Sequence, residues 1–140
     1  MKKFIPYLFF VFIIPIVFSS CKKDKPEAVT EKWYFEKTTE DVYDKAGALQ
    51  FSDTDIDWTI NDYFLLQADG NLEIATNGDK ETGTYKIDKS VFTMTTKPAG
   101  SSISITVTAT IVEKSASKFT FNVEESYVDG KVKSTFYLKK

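Results

Sequence analysis

The chain has 140 residues, with 18 basic residues, all lysine, against 20 Asp and Glu, no histidine and a formal net charge of −2. An acidic chain without arginine is a poor partner for nucleic acid, because phosphate binding needs clustered basic side chains. The absence of histidine excludes Ser–His and Cys–His catalysis and removes the commonest metal ligand. We therefore expect a protein that is not an enzyme and needs no cofactor.

The first 20 residues are typical of an export signal. Lys2 and Lys3 precede an uncharged run over 4–18, which is shorter than the roughly 20 apolar residues of a membrane-spanning helix. Cys21, the only cysteine, follows Ser19-Ser20 at the end of this run. The arrangement resembles a bacterial lipoprotein signal, with plain secretion and a stray thiol as the alternative.

The lipoprotein resemblance implies a signal peptide over 1–20 and a Cys21 that carries several acyl chains such as palmitate. More than one acyl chain is the condition for stable membrane anchoring. Residues 21–30 are then the lipidated cysteine with a short polar tether, and the expected location is the cell envelope. Within the envelope, we expect the protein to be anchored in the outer membrane, on either its periplasmic or its surface face.

Beyond the tether, the sequence has the period-two alternation of half-buried strands, which is clearest over 103–111. Asp69-Gly70, Asn77-Gly78 and Asp129-Gly130 are typical hairpin turns between such runs. Consecutive hairpins without long crossovers predict an all-β domain over 31–140, an eight-stranded antiparallel up-and-down barrel. The predicted strands are 31–38, 62–69, 71–77, 82–88, 91–97, 103–113, 117–127 and 131–139.

Residues 39–61 are predicted to be a long loop that packs on one end of the barrel. Phe51 and Trp58 are its candidate lid residues, with plugging of the barrel as the alternative role. The loop also carries Asp53, Asp55 and Asp57, a weak candidate for calcium, since hard cations prefer oxygen ligands. The spacing lacks the glycine and the glutamate of an EF-hand, so a solvated acidic loop is the favoured interpretation and no metal site is expected.

The chain resembles the bacterial lipocalin-like lipoproteins in four features that follow one another along the sequence. They are the lipoprotein cysteine, the Lys-Trp-Tyr-Phe segment 32–35, the Asn-Asp-Tyr-Phe segment leading to Asp69-Gly70, and the Gly-Thr-Tyr strand that starts at Gly83. The resemblance covers about 31–139. It implies a lipocalin-like barrel with a possible apolar cavity, and it implies no particular ligand.

Ten inward positions are candidates either for a ligand pocket or for a filled core. They are Trp33, Phe35, Phe64, Leu66, Tyr85, Phe92, Met94, Phe119, Phe121 and Phe136. An eight-stranded barrel either fills its interior or holds one small ligand, and the many aromatic residues favour a largely filled barrel. Two functions follow: a membrane-anchored barrel that binds a small apolar molecule, or a filled structural or interaction module of the cell envelope whose protein partners are unknown.

Any pocket is predicted to open at the barrel end that carries 39–61, 78–81, 98–102 and 128–130. The connections at the other end are mostly tight turns, which leave little room for an opening.

Overall fold

The computed structural model describes residues 29–98 and 100–140. The predicted signal peptide, Cys21 and most of the tether lie outside the described residues. The described part consists of nine strands and their connections. The strands are β1 (Glu31–Asp44), β2 (Leu49–Asp55), β3 (Tyr63–Leu66), β4 (Asn71–Thr76), β5 (Asp79–Asp88), β6 (Val91–Lys97), β7 (Ile105–Lys114), β8 (Lys118–Tyr127) and β9 (Gly130–Lys139).

Eight of the strands form the predicted closed antiparallel barrel. Strands β3 to β9 pair in chain order, and β1 closes the ring by pairing with β3 on one side and β9 on the other. The all-β, up-and-down barrel prediction is therefore confirmed, and the ninth strand is an addition to it. Apart from β1, the predicted strand boundaries agree with the observed ones to within three residues.

The prediction of a loop over 39–61 is wrong, because most of this segment is a β-hairpin. β1 continues to Asp44, and β2 runs back along it from Leu49 to Asp55. The Asp44 side chain forms the turn by accepting hydrogen bonds of 2.9 Å from the backbone N–H groups of Ala46 and Ala48. Gly47 completes the turn with φ +82°, which a glycine adopts without steric cost.

β2 and β3 share one edge of β1 but occupy different halves of it. β2 pairs with Thr38–Tyr43, and β3 pairs with Glu31–Tyr34. Residues 56–62 join the two strands at the middle of β1, and we call them the crossing segment. The crossing segment packs on the barrel through Trp58, whereas residues 39–44 of the predicted loop belong to the barrel strand β1 itself.

One end of the barrel is filled with side chains. Seven large side chains are fully buried, and they come from the ends of β1, β3, β4, β6, β8 and β9 that meet there: Trp33, Leu66, Leu72, Phe92, Phe119, Phe121 and Leu138. Trp33 lies 5.6 Å from Phe119, and Phe92 lies 5.4 Å from Phe119, measured between ring centroids. We call this the closed end.

The chain begins β1 at the closed end, where an ion-pair cluster holds the strand. Glu31 contacts the ammonium groups of Lys114 at 2.8 Å and Lys140 at 3.1 Å. Partial burial acts to raise the pKa of Glu31, but the two lysine hydrogen bonds outweigh it and leave the pKa below its usual value. Thr30, the described residue just before β1, lies at the closed end as well, beside the β3–β4 turn.

The described ranges 29–98 and 100–140 contain no helix that is both long and apolar enough to cross a membrane.

Candidate functional site

The half of the barrel opposite the closed end contains a cavity of about 370 Å³. Its floor is aromatic and comes from Phe35, Phe64 and Phe121, at the level where the filled half stops. Aliphatic side chains of β4, β7 and β8 form the wall above it. The prediction of a largely filled barrel therefore holds for the closed half only.

The cavity opens at the end predicted from the connections. Thr76, Glu81 and Thr96 line it beside the β4–β5 turn and the β6–β7 connection. Glu125 and Ser134 line it from the β8–β9 hairpin. We call this ring of polar residues the rim.

The structure divides the ten candidate interior residues between the cavity and the packed core. All ten belong to the hydrophobic core or pack against it. Phe35, Phe64, Met94, Phe121 and Phe136 line the cavity. The other five lie in the closed half: Trp33, Leu66, Tyr85, Phe92 and Phe119.

Of the two candidate lid residues, Trp58 lines the cavity and Phe51 does not. Trp58 stacks on Phe35 with ring centroids 4.4 Å apart and an angle of 18° between the ring planes. Its indole Nε1 is buried without a hydrogen-bond partner. Phe51 lies in β2 opposite Val42, and 55% of it is exposed.

Asp62 holds the crossing segment in place, and the sequence analysis did not identify it. Its carboxylate accepts hydrogen bonds from the backbone N–H and the hydroxyl of Thr59, at 2.8 and 2.7 Å. A third hydrogen bond, of 2.7 Å, comes from the backbone N–H of Asn77 in the β4–β5 turn. The hydroxyl of Thr59 contributes most, followed by the two backbone donors, to a pKa of Asp62 below its usual value.

The main chain adds to this attachment. The backbone N–H of Phe35 donates to the carbonyl of Asp62 across 3.3 Å. Asp62 is thus bonded both to the turn on one side of the cavity and to the strand whose aromatic ring Trp58 covers. This network fixes Trp58 as a wall of the cavity.

A second cavity, of about 340 Å³, lies beside the first one, between the crossing segment and the β1–β2 hairpin. The two cavities share Trp58, Ser134 and Phe136. Glu40, Asp53 and Asp55 line the second cavity, together with Thr38 and Thr39. We call it the acidic groove, and Trp58 separates it from the apolar cavity.

The three aspartates of the predicted loop do not act as one cluster. Asp53 and Asp55 lie two residues apart in β2 and so share one face of the strand. Asp57 lies in the crossing segment, where its backbone N–H donates to Asp55 across 2.9 Å. Within the described residues, no group of three or more acidic, histidine or cysteine side chains is arranged to hold a metal ion.

The cavity residues outside the ten candidates follow the strand alternation once the register is known. In β8, Phe121, Val123 and Glu125 point to the same side, so the cavity wall continues into the rim along one strand. Ile74, Ile105 and Val107 complete the apolar wall. The alternation signals these positions, but it does not tell a cavity wall from a packed core.

Comparisons of this chain with models of protein families, with curated proteins and with solved structures gave no match.

Proposed function

We propose that this protein is a lipocalin-like lipoprotein that is anchored to the cell envelope through Cys21 and binds a small, mainly apolar molecule in its barrel. The observation that carries the binding proposal is the half-filled interior. A cavity of about 370 Å³ falls within the range of about 300–1,000 Å³ that is common for small-molecule sites. A core that served stability alone would gain by filling this space, since empty cavities cost stability.

The shape of the interior supports binding rather than packing. The floor and wall are aromatic and aliphatic, and polar side chains appear only at the rim and in the acidic groove. A molecule in the cavity would therefore lose its hydration at its apolar part and keep its polar part near solvent. This distribution of polar groups is typical of small-molecule sites.

The direction of the chain supports anchoring from the closed end. β1 starts there, and the backbone N–H of Ala68 in the β3–β4 turn lies 3.4 Å from the Thr30 hydroxyl. A tether to a lipidated Cys21 would thus approach the barrel opposite the rim. The mouth of the cavity would then face away from the membrane that holds the protein.

Binding is tested with n-octanol, a neutral apolar probe, by isothermal titration calorimetry on residues 29–140. We expect saturable binding that Val107→Phe reduces at least about fivefold, because the added ring occupies the cavity. Val112→Phe is the matched control, since Val112 lies on the same strand and is 60% exposed. No saturable binding, or equal binding by both variants, would refute the proposal.

Anchoring is tested by expressing the full chain and its Cys21→Ser variant in a bacterium with a lipoprotein pathway. We expect the unaltered protein to partition into the detergent phase and the variant to remain in the aqueous phase. Mass spectrometry of the unaltered protein should find the acyl chains on Cys21. A variant that still partitions with detergent would contradict the anchor.

The second candidate is the interaction module, and the free edge of β2 favours it. Among the nine described strands, β2 pairs only with β1, so its other edge is the open edge of the described sheet. Leu49 and Phe51 are about half exposed there, at 54% and 55%. An edge strand of this kind accepts an added strand from a partner, although the aspartates of β2 oppose such pairing. Binding of an envelope protein that Ser52→Pro abolishes and Val107→Phe leaves unchanged would favour this function.

A further inference from the structure

We propose that the ligand is an amphipathic cation, with an apolar body in the cavity and an ammonium or similar group at the rim. The inference rests on the proposed binding function and adds the charge of the ligand. It starts from the polar side chains that line the cavity. Of the lining side chains within 29–98 and 100–140, only Glu81 and Glu125 are ionisable, and both are carboxylates.

The two rim carboxylates have no basic partner in the described part of the chain. The salt bridges among the described residues use Glu31, Glu36, Glu73 and Glu124, and neither Glu81 nor Glu125 takes part in one. Glu81 is half-buried and faces the cavity from β5, next to Ile74 in the register. Two carboxylates beside an apolar cavity, both without a counter-charge, attract a cation and repel a fatty acid or another anion.

The strand register explains why lysines are absent from the cavity. Along β9, Val132 and Ser134 face inward, while Lys131 and Lys133 lie on the outer face. Lys131 is used there, in an ion pair of 3.1 Å with Glu124. Because side chains alternate along the strands, the β8–β9 hairpin has its lysines on the outer face and Glu125 on the inner face.

The acidic groove adds three carboxylates beside the cavity. Glu40 and Asp53 are direct cross-strand partners, and Asp55 lies two residues further along the same face of β2. Among the residues that the structure describes, no lysine lines the groove. Trp58, which separates groove and cavity, offers an aromatic face, and such a face attracts a cation in its own right. The five carboxylates and the indole thus line two adjoining cavities, and Trp58 belongs to both.

The test compares three probes that share one apolar chain, n-octylammonium, n-octanol and n-octanoate, by calorimetry at pH 7. We expect octylammonium to bind at least about tenfold more tightly than octanoate, with octanol between them. The double variant Glu81→Gln/Glu125→Gln should lose at least about fivefold in octylammonium affinity relative to its octanol affinity. The matched control is Asp88→Asn/Glu113→Gln, which removes the same charge from exposed positions near the closed end and should change neither.

Added salt gives an independent measurement. Raising the salt concentration from 0.05 to 0.5 M, about a threefold shortening of the screening length, should weaken octylammonium binding and leave octanol binding unchanged. Octanol binding with equal affinities for the two charged probes would overturn the cation proposal while the binding function stands. The absence of binding by all three probes would overturn the proposed function itself. An octylammonium affinity that both double variants lower equally would show that the rim carboxylates have no specific role.

Discussion

The carboxylate of Asp62 lies 2.7 Å from the backbone N–H of Asn77, and this hydrogen bond joins the crossing segment to the β4–β5 turn. The two residues are 15 positions apart in the chain. Asp62 has an exposed fraction of only 3%, so its side of the bond is shielded from solvent. It connects the segment that carries Trp58 to the turn that follows β4, the strand paired with β3.

The first prediction concerns Asp62→Asn, which removes the charge and one acceptor. At pH 7 we expect the unfolding midpoint to fall by roughly 5 °C, because a hydrogen-bonded charged group is lost from a small domain. The pKa of Asp62 is lower in the folded state than its usual value of 3.8. Its contribution to stability is therefore complete above about pH 4 and is lost as the pH falls through the folded-state pKa.

Thermal unfolding of the two proteins between pH 7 and pH 2 tests this dependence. The difference between the unaltered protein and Asp62→Asn should be constant down to about pH 4 and should shrink below pH 3.8, the usual pKa of an aspartate. Asp79→Asn, at an exposed position in β5, is the control and should leave the curve unchanged. A difference that persists undiminished at pH 2 would contradict the role given to the charge of Asp62.

The second prediction concerns Trp58, whose ring covers Phe35. Trp58→Ala should lower the free energy of unfolding by about 2 kcal/mol, since it removes a half-buried stacked ring. It should also weaken n-octanol binding at least about threefold, because the apolar cavity then opens into the acidic groove. Denaturant unfolding and calorimetry measure the two effects.

Trp58→Phe is the matched variant, because a smaller ring can still stack on Phe35. It should recover most of the stability and of the octanol affinity. If Trp58→Ala binds octanol as well as the unaltered protein does, the indole is not a wall of the binding site.

The third prediction concerns Gly83, where β5 and β6 approach closely. A Cβ built on Gly83 would lie 2.0 Å from the backbone carbonyl oxygen of Thr95, so the strands would have to separate to admit a side chain. Gly83→Ala should therefore destabilise the barrel by about 3 kcal/mol or more. Thr84→Ala, at the next and exposed position, is the control and should change stability by less than about 0.5 kcal/mol. Chemical denaturation that finds the two variants equally stable would contradict the close approach.

The barrel was predictable from sequence because its strands alternate locally. In β7 and β8, inward positions such as Ala109 and Phe121 alternate with polar residues, and Asp129-Gly130 marks the turn after β8. β2 was missed because half of the positions on its inward face carry polar side chains. Asp53 and Asp55 occupy positions where a barrel strand would carry apolar residues, so the alternation resembled an acidic loop. The Asp44 to Gly47 segment was the available signal, since aspartate and glycine three residues apart are typical of a tight turn.

The cavity was not predictable in the same way, because it depends on side chains that are distant in sequence. Phe64 and Phe121 meet edge to face, with centroids 5.7 Å apart, and form its floor. Whether the space above them stays empty depends on the volumes of residues from β4, β7 and β8 together. The position of Trp58 depends in turn on the contact of Asp62 with Asn77. No local pattern encodes either relationship.

The last prediction concerns Glu40 and Asp53, two carboxylates that are directly opposite each other on β1 and β2. Like charges in this arrangement destabilise a sheet by up to about 1 kcal/mol. Neutralising either residue should therefore stabilise the protein. We expect Glu40→Gln and Asp53→Asn each to raise the free energy of unfolding by about 0.5 kcal/mol, with the double variant gaining less than the sum.

Urea denaturation at low and at high salt measures this effect. The gain should shrink in high salt, where the repulsion in the unaltered protein is screened. Asp41→Asn is the control from the other face of β1, where Asp41 accepts a hydrogen bond of 2.7 Å from Ser52, and it should bring no gain. A loss of stability in both Glu40→Gln and Asp53→Asn would mean that the two carboxylates do not repel each other. A gain in stability together with weaker n-octylammonium binding would indicate that the two carboxylates lower stability but contribute to binding of the cation.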